Sequence, residues 1–581
     1  MSRHGIAPVL FCLAAVLVTV SAHAAARSPG YGKNGMVVSS SADAAKAGAD
    51  ILAAGGNAID AAVATAFAVG VTQPYSAGIG GGAFLLIRLA DGNVVALDAR
   101  ETAPAAATRD MYVAPGVAPK ASLSGALAVA TPGLVAGLAE VQEKHGTLPL
   151  AQVMAPAIRL AREGFALGPY AAGMIERMRK YIAAERFPET ARVQFPPEGV
   201  VAEPGDILVQ PDLANTLSTI AEKGPAAFYT GEIGEKIVAE VQRRGGILTA
   251  EDLANYRTAT RPPISGTYRG ITVYSFPPPS SGGVALVEML NILEGYDLAA
   301  RGAGSSASVH VIAEAMKLAF ADRAAYLGDP DFVEMPLKRL VSKAYARKLR
   351  QQIDPGVFVA SPWSWKCSGS VADVKAPGLP ADDAGTTHLS VTDSLGNAVG
   401  ITATINTSYG SGITVPGTGI VLNNEMDDFA VAPDTPNAYG LVDVRGSNAI
   451  APGKRPLSSM TPTILLEDGK PFMVTGSPGG PRIISTVLLS ILNVLDYGMN
   501  VQQAVSAPRF HHQWIPDTLY LERANPADVV AALRSCGHPV KISPYNWSAD
   551  EAIVIDAGTG WQLGGSDPRT DGAGVGNPPV P

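Results

Sequence analysis

Two β-branched runs joined by a short polar turn constrain this chain more than any other feature of its sequence. The runs occupy residues 386–392 (TTHLSVT) and 398–405 (AVGITATI), and a turn containing Gly and Asn, residues 393–397 (DSLGN), lies between them. This pattern predicts a β-hairpin. If Leu395 is the turn centre, Thr386 faces Thr404 with their Cβ atoms about 5 Å apart, whereas a slip of one residue would separate them. The hairpin thus predicts two threonine side chains next to each other at its open end.

Threonines that face each other are usually ordinary strand formers. Gly385, directly before Thr386, nevertheless indicates a possible site of peptide-bond cleavage. Residues 361–385 are rich in Pro, Gly, Ser, Asp and Lys without apolar periodicity, which predicts an exposed, poorly ordered connection. If the Gly385–Thr386 bond breaks, Thr386 gains a free α-amino group, whose reference pKa of about 8 lets it act as a base for its own hydroxyl. The same hydroxyl could first attack the Gly385 carbonyl, which no Cβ shields. Thr386 is therefore a candidate nucleophile formed by self-cleavage.

The part of the chain before residue 361 carries the signals of helices and of one tight turn. Ser41 can cap a first helix that ends at residues 55–56, and Asn57 can cap a second that runs towards Val71. The glycines of 78–82 precede a strand-like run, 83–87, and no Lys-Ser/Thr pair follows them, so a tight turn is predicted rather than a phosphate loop. Residues 148–349 are predicted to be mainly helical, including a helix at 284–293.

Composition and charge indicate a globular protein that acts on small molecules. Hydrophobic residues make up 47% and charged residues 17% of 581 residues, a length that would ordinarily suggest more than one domain. The net charge of −8 provides no basic surface for nucleic acid or anionic lipid. The tail, residues 564–581, is rich in Gly and Pro and is predicted to be poorly ordered.

The first 24 residues resemble a secretory signal peptide. An apolar run at 6–20 follows Arg3 and His4, and Ala22-His23-Ala24 provides a small-x-small cleavage site. The run is short for a bilayer span, and no later stretch is long and apolar enough to be one. We therefore expect cleavage after Ala24 and a periplasmic or secreted protein.

Two cysteines remain after Cys12 leaves with the signal peptide. Cys367 and Cys536 could form a disulfide in an oxidising compartment or stay as two unpaired thiols, and their spacing does not decide between these. Neither has a C-x-x-C neighbour, so no zinc site is expected at these cysteines. No metal and no cofactor are expected elsewhere in the chain either.

Several stretches in order along the chain resemble the γ-glutamyltranspeptidases, and the likeness covers nearly the whole mature chain. They are 55–58 (GGNA), 98–101 (DARE), 319–324 (AFADRA), 385–388 (GTTH), 422–429 (LNNEMDDF), 455–463 (RPLSSMTPT) and 476–480 (GSPGG). The resemblance implies an α+β fold, the four-layer αββα sandwich of N-terminal-nucleophile hydrolases. It also implies a heterodimer of a large subunit, residues 25–385, and a small subunit, residues 386–581.

The activity that this resemblance implies is hydrolysis or transfer of γ-glutamyl groups from glutathione and similar amides to amino acids, peptides or water. By position, it also implies the following roles: Thr386 as nucleophile with Thr404 as its hydrogen-bonding partner; Arg100, Ser458 and Ser459 as the clamp on the substrate α-carboxylate; Asn406, Glu425 and Asp428 as holders of the α-ammonium; Gly479 and Gly480 as the oxyanion hole; and Tyr439 as the tip of a lid loop.

Each of these assignments makes physical sense, and each has an ordinary alternative. The planar fork of Arg100 matches a carboxylate, but a surface ion pair with Glu101 or Asp98 is the alternative. Glu425 and Asp428 suit an ammonium group, or belong to a loop of solvated acids. Asn406 could equally be a turn residue, and Tyr439 an ordinary loop aromatic.

The serines and the glycines have ordinary alternatives too, and the histidines are expected to have no part in the site. Ser458 and Ser459 could cap the segment that follows them. Residues 479–480 lie between a strand at 472–475 and a helix starting near Arg482, which suits backbone donors for an oxyanion or a plain strand-to-helix turn. Three histidines, His388, His511 and His512, are expected to be structural, because the adjacent pair lacks metal-ligand spacing.

Two competing functions remain open from the sequence. A glutaryl-cephalosporin acylase is the enzymatic alternative, although Tyr439 and Asp428 favour a γ-glutamyl enzyme, since glutaryl substrates lack the α-ammonium. An exported γ-glutamyl-binding protein without catalysis is the alternative of another class.

Overall fold

The computed structural model describes residues 27–353, 385–432 and 435–577. Helices dominate its first half and also occur in its second half. They are α1 (Ala42–Ala53), α2 (Ala58–Thr72), α3 (Leu134–His145), α4 (Leu150–Glu163), α5 (Pro169–Arg179), α6 (Pro188–Gln194), α7 (Pro211–Lys223), α8 (Ala226–Tyr229), α9 (Glu232–Arg243), α10 (Ala250–Asn255), α11 (Gly282–Leu293), α12 (Leu298–Arg301), α13 (Ser306–Tyr326), α14 (Leu337–Leu340), α15 (Lys343–Arg350), α16 (Arg482–Leu495), α17 (Val501–Ser506) and α18 (Ala527–Ser535).

Strands occur at both ends of the chain and dominate the part after residue 385. They are β1 (Gly30–Gly32), β2 (Gly35–Ser39), β3 (Gly82–Arg88), β4 (Val94–Ala99), β5 (Phe165–Ala166), β6 (Ile207–Leu208), β7 (Ala259–Arg261), β8 (Ile264–Tyr268), β9 (Ile271–Ser275), β10 (Thr386–Asp393), β11 (Ala398–Thr404), β12 (Thr463–Glu467), β13 (Lys470–Thr475), β14 (Phe510–His511), β15 (Leu519–Glu522), β16 (Val540–Ser543), β17 (Glu551–Ile555), β18 (Gln562–Ser566) and β19 (Ala573–Asn577).

Two seven-stranded sheets form the centre of the molecule. The first has the order β19-β2-β10-β11-β3-β4-β7, and the second the order β1-β18-β17-β13-β12-β9-β8. Helices α1, α2 and α3 pack on the outer face of the first sheet, through side chains such as Leu85 and Leu389, and α4 packs on α2. Helices α11, α13 and α16 share the second core with strands β9, β12 and β13. The result is the predicted α+β architecture of helix, sheet, sheet and helix layers.

The predicted hairpin lies in the middle of the first sheet as β10 and β11. Its register pairs Thr386 with Thr404, which confirms the prediction from the turn centre. Strand alternation then sends Thr386, His388 and Ser390 to the face that meets the second sheet, where the Ser390 hydroxyl donates a hydrogen bond of 2.7 Å to the Glu551 carbonyl. The open end of the hairpin therefore lies at the boundary between the sheets.

The predicted helix caps are also confirmed. The Ser41 hydroxyl accepts a hydrogen bond of 3.4 Å from the Ala44 N–H at the start of α1. At the start of α2, Asn57 and Asp60 form a reciprocal capping box. The glycine turn leads into β3 as expected.

The prediction of a poorly ordered C-terminal tail is wrong for residues 564–577. Strand β18 pairs with β1 and β17, and β19 pairs with β2. The glycines are needed there because the two sheets approach closely at this edge: a Cβ on Gly574 would lie 2.9 Å from the Gly564 carbonyl oxygen.

Several predictions fall on residues outside the described ranges. They are the signal peptide (1–24), most of the connection at 361–385 and the environment of Cys367, so a Cys367–Cys536 disulfide stays a prediction. Within residues 27–353, 385–432 and 435–577, no helix combines the length and the apolar character needed to cross a membrane.

Candidate active site

A pocket opens at the end of the hairpin and brings together residues that are far apart in the chain. Strands β4, β10 and β11, the loops between β11 and β12, and the start of α16 all contribute to it. Its lining residues are Arg100, Thr386, Thr404, Asn406, Glu425, Asp428, Tyr439, Leu441, Leu457, Ser458, Ser459, Met460, Gly480 and Ile483. All the predicted substrate-binding and catalytic residues line it except Gly479, which adjoins Gly480.

The two threonine hydroxyls form a defined hydrogen-bond chain. Thr386 Oγ1 lies 3.0 Å from Thr404 Oγ1, which in turn donates to the Gly385 carbonyl at 2.7 Å. The Asn406 N–H donates to Thr404 Oγ1 at 2.8 Å. Because a hydroxyl has a single hydrogen and two acceptor sites, Thr386 must be the donor to Thr404. The Thr386 hydroxyl is thereby oriented, and the Gly385 carbonyl is polarised.

Gly385 occupies a position that admits no side chain. A Cβ there would collide with the Asn406 carbonyl and the backbone of Thr407. The close approach also lets the Ile405 N–H donate to the Gly385 carbonyl at 3.1 Å. The carbonyl next to the Thr386 hydroxyl thus accepts two hydrogen bonds.

Arg100 lines the pocket and is 1% exposed. Its guanidinium binds Glu425 through Nη1 and Asp428 through Nη2, and its Nε donates to the Pro456 carbonyl at 3.3 Å. The alternative of a surface ion pair with Glu101 or Asp98 is therefore wrong. The alternative of solvated acids is wrong for Glu425 and Asp428 as well, since both are buried.

The charges around Arg100 do not balance. Glu101 is also buried and lies 3.7 Å from Arg100 Nη1, so three carboxyl groups surround one guanidinium. Burial raises the pKa of Glu101 to about 7, and burial raises the pKa of Glu425 and Asp428 although Arg100 opposes the shift. The Arg100 pKa is itself raised by the carboxylates, against the effect of its burial. This carboxyl-rich cluster favours an added cation.

Asn406 and Tyr439 cover the threonine pair from one side. Asn406 has a φ of +76° and donates from its side-chain amide to the Asn424 carbonyl at 2.9 Å, so it is both a turn residue and a pocket residue. The Tyr439 hydroxyl donates to the Asn406 carbonyl at 2.6 Å, and its ring is buried. Tyr439 is thus part of the pocket wall rather than an exposed loop aromatic.

Residues 479–480 join β13 to α16, as the sequence predicts. The carbonyls of the two glycines accept from the N–H groups of Arg482 and Ile483, at 3.0 and 3.2 Å. Gly480 has a φ of +55°, and a Cβ on it would lie 2.6 Å from the Tyr439 ring. A left-handed backbone and the nearby ring both require glycine here.

The two serines face the pocket next to Arg100. Ser458 Oγ accepts a local hydrogen bond of 3.1 Å from the Met460 N–H, in keeping with the alternative of a cap. Ser459 Oγ is buried without a hydrogen-bond partner among the described residues. A buried hydroxyl of this kind is costly unless a ligand pairs with it.

The three histidines lie outside this pocket and make structural hydrogen bonds. His388 bonds Thr402 at 2.9 Å and Ser390 at 3.1 Å, and burial lowers its pKa to about 3. His511 and His512 are likewise buried, with Ser485 and Asp517 among their partners.

Sequence reasoning missed two acidic residues of this region. Glu101 was considered only as a surface partner of Arg100, yet it adds a third carboxyl group to the buried cluster. Asp427 bonds the Ser122 hydroxyl at 2.7 Å and the Ala438 N–H at 2.9 Å, and so holds the loop that carries Tyr439. The signal for both was available, since each stands next to a residue already assigned to the site.

Several known proteins are similar to this chain over most of its length. The chain is 48% identical to a glutathione hydrolase proenzyme of Escherichia coli strain K12 over 93% of its length and 91% of that protein. It is 45% identical to a glutathione hydrolase proenzyme of Pseudomonas sp. strain A14, over 90% and 89% of the two chains. Among solved structures, a cephalosporin acylase from Bacillus halodurans superimposes with a TM-score of 0.83 at 32% identity, over 96% of this chain and 98% of that one. The family model of γ-glutamyltranspeptidase matches residues 44–577, and the chain therefore belongs to the γ-glutamyltranspeptidase family.

Proposed function

We propose that this protein is a γ-glutamyl hydrolase and transferase that acts on glutathione and other γ-glutamyl amides. The observation that supports it most is the position of the Thr386 hydroxyl, in one pocket with the buried cluster of Arg100, Glu425 and Asp428. A hydroxyl nucleophile and a binding site for a zwitterionic amino-acid end are what such a reaction needs.

The first step is maturation at the Gly385–Thr386 bond. The Thr386 hydroxyl oxygen attacks the Gly385 carbonyl carbon, and the hydroxyl proton is transferred to the amide nitrogen of Thr386. The bond between that nitrogen and the Gly385 carbon then breaks to leave a free amine, and water hydrolyses the resulting ester. The Thr404 hydroxyl stabilises the developing oxyanion, since it already donates to the Gly385 carbonyl. The products are a large subunit (25–385) and a small subunit (386–581), after removal of a signal peptide (1–24) on the way to the periplasm or the medium.

In the mature protein, the free α-amino group of Thr386 acts as the base for its own hydroxyl. The hydroxyl attacks the γ-carbonyl of the substrate, the amine half of the amide leaves with the proton that the α-amino group took from the hydroxyl, and a γ-glutamyl ester remains on Thr386. Backbone N–H groups at Gly479 and Gly480 stabilise the oxyanion. Water, an amino acid or a peptide then accepts the γ-glutamyl group.

The ion cluster is the basis for recognising the α-end of the substrate. The α-carboxylate takes the place of an acidic side chain on Arg100, with Ser458 and Ser459 as further donors. The α-ammonium then pairs with Glu425 and Asp428, and the Asn406 side chain adds a polar contact. A glutaryl group would bring only a negative charge to a cluster that already has an excess of carboxyl groups.

A comparison of γ-glutamyl-p-nitroanilide with glutaryl-p-nitroanilide tests this function against that of an acylase. A carboxylate that is desolvated without its cation typically costs several kcal/mol, so the wild type should favour the γ-glutamyl substrate by orders of magnitude in kcat/KM. Asp428→Asn removes the carboxylate that a glutaryl substrate would leave without its cation. The variant should lose γ-glutamyl activity, and the ratio of kcat/KM between the two substrates should become smaller.

Both proteins are assayed at one pH, after a denaturing gel has shown that each is fully cleaved. Equal wild-type rates on the two substrates would contradict the γ-glutamyl assignment while leaving Thr386 as nucleophile. A purified protein that stays one chain and turns over neither substrate would instead favour a binding protein without catalysis.

A further inference from the structure

A cluster of metal-binding side chains lies outside the candidate active site, between α13 and the turn that follows α18. His310 and Glu314 are four residues apart on α13 and therefore project from one face of that helix. His538 comes from the turn after α18. One ligand atom from each of the three residues lies within 4.8 Å of those of the other two.

The three side chains are close enough for a small metal ion to bind them after a change in the His538 ring orientation. His310 Nδ1 is 2.8 Å from His538 Nε2, and His538 Nδ1 is 3.9 Å from Glu314 Oε1. Nitrogen and oxygen ligands of tetrahedral zinc, with bonds of about 2.0–2.2 Å, stand roughly 3.3 Å apart. The two distances involve different nitrogens of His538, and only one of them can bind the ion, so the His538 ring must turn to present one nitrogen towards His310 and Glu314 together.

One ring nitrogen of the buried His538 is unpaired within the described part of the chain. The residue is 6% exposed, and its Nδ1 has no hydrogen-bond partner among the described residues. A buried ring nitrogen without a hydrogen-bond partner among the described residues, next to a second imidazole and a carboxylate, points to a cation.

Lys317 is the group that competes with such a cation. Its ammonium lies 3.0 Å from Glu314 Oε1 and 3.2 Å from Asp517 Oδ1. Because Asp517 can hold the ammonium alone, Glu314 can turn to a metal without leaving Lys317 unpaired.

We propose that His310, Glu314 and His538 bind one zinc ion, with water completing the tetrahedron. Two imidazoles and one carboxylate are a donor set that zinc accepts readily. His310 and Glu314 precede Gly385, whereas His538 follows Thr386, so the ion links the large subunit to the small one. The role of the ion as a link between subunits rests on the proposed cleavage, whereas the binding of zinc does not.

Calorimetric titration of untagged, metal-stripped protein with zinc sulfate tests the site. The wild type and the uncleaved Thr386→Ala variant should each bind one equivalent, and zinc should raise the Tm of both. His310→Ala and His538→Ala should each weaken binding at least about tenfold. Lys317→Gln should strengthen it several-fold, because the competing cation is gone.

His145→Ala, a histidine at the end of α3, is the matched control and should bind zinc like the wild type. Glu314→Gln keeps the size of the side chain and serves if either histidine variant fails to fold. A wild type that binds no zinc, or equal affinities in the wild type, His310→Ala and His538→Ala, would overturn the proposal. Zinc binding together with an uncleaved wild type would refute the proposed maturation and leave the metal site standing.

Discussion

At the scale of single residues, Arg100 shows how burial changes what a side chain can do. An arginine on the surface contributes little through its ion pairs. Here the guanidinium is 1% exposed and is held by Glu425, Asp428 and the Pro456 carbonyl, so its fork is fixed before a substrate arrives. Such preorganisation lowers the entropy cost of binding a carboxylate. Arg100 therefore carries the first residue-level prediction.

Arg100→Lys replaces a bidentate fork with a point charge. It should weaken γ-glutamyl binding by roughly 1.5–3 kcal/mol, the range of hydrogen bonds to charged groups, and so raise the KM for γ-glutamyl-p-nitroanilide. Cleavage into two chains should be largely spared, because it needs no bound glutamate.

Arg569→Lys is the matched control, since Arg569 also contacts two carboxylates, Glu522 and Asp567, but lies outside the pocket. It should leave KM unchanged. If Arg100→Lys also left KM unchanged, that result would show that Arg100 does not bind the substrate.

At the scale of elements, the hairpin β10–β11 determines where the nucleophile and its partner meet. Its register places Thr386 opposite Thr404, and its central position in the first sheet holds both strands between β2 and β3. Gly385, directly before β10, is held against the segment after β11 by the Ile405 N–H. The hairpin thus brings a hydroxyl and a polarised carbonyl together without help from the substrate.

Thr404→Val should slow self-cleavage by roughly 10²–10³-fold, because valine keeps the shape of threonine but removes the hydroxyl that donates to the Gly385 carbonyl. Thr404→Ser retains the hydroxyl and should be cleaved at close to the wild-type rate. The measurement is the fraction of precursor left on a denaturing gel against time after synthesis. Equal rates for the valine and serine variants would show that Thr404 has no part in maturation.

At the scale of the whole molecule, both sheets combine strands from the two sides of the cleavage site. In the first sheet β2 and β3 precede residue 385 and pair with β10, β11 and β19, which follow it. In the second sheet β9 pairs with β12, and β1 with β18. Separation of the two segments would therefore break both sheets, and we expect the subunits to stay associated after cleavage.

The wild type should run as two bands on a denaturing gel and as one species in size-exclusion chromatography under native conditions. Thr386→Ala should remain a single precursor, since alanine has no hydroxyl to attack Gly385. Thr387→Ala is the matched control: Thr387 bonds Ser40 on the opposite face of β10, so this variant should still be cleaved. Sequencing of the smaller wild-type band should begin at Thr386, and any other first residue would refute the cleavage site.

The sequence by itself determined the local features of this protein. The hairpin register follows from strand alternation and turn length, and the caps at Ser41 and Asn57 follow from hydrogen bonds within one helical turn. These interactions join residues that are close in the chain, so their pattern can be recognised without knowledge of the rest of the fold. The assignments of Arg100, Glu425 and Asp428 came instead from a resemblance to a family.

Only the tertiary structure decided which distant groups meet and how deeply they are buried. Arg100 and Glu425 are 325 residues apart, and nothing in their local sequence distinguishes a buried pair from two surface charges. The glycine-rich tail forms β18 and β19 because two sheets approach closely at that edge, where a side chain would not fit. Burial and partner choice depend on how the layers pack as a whole, and that packing is a collective property which no short stretch of sequence contains.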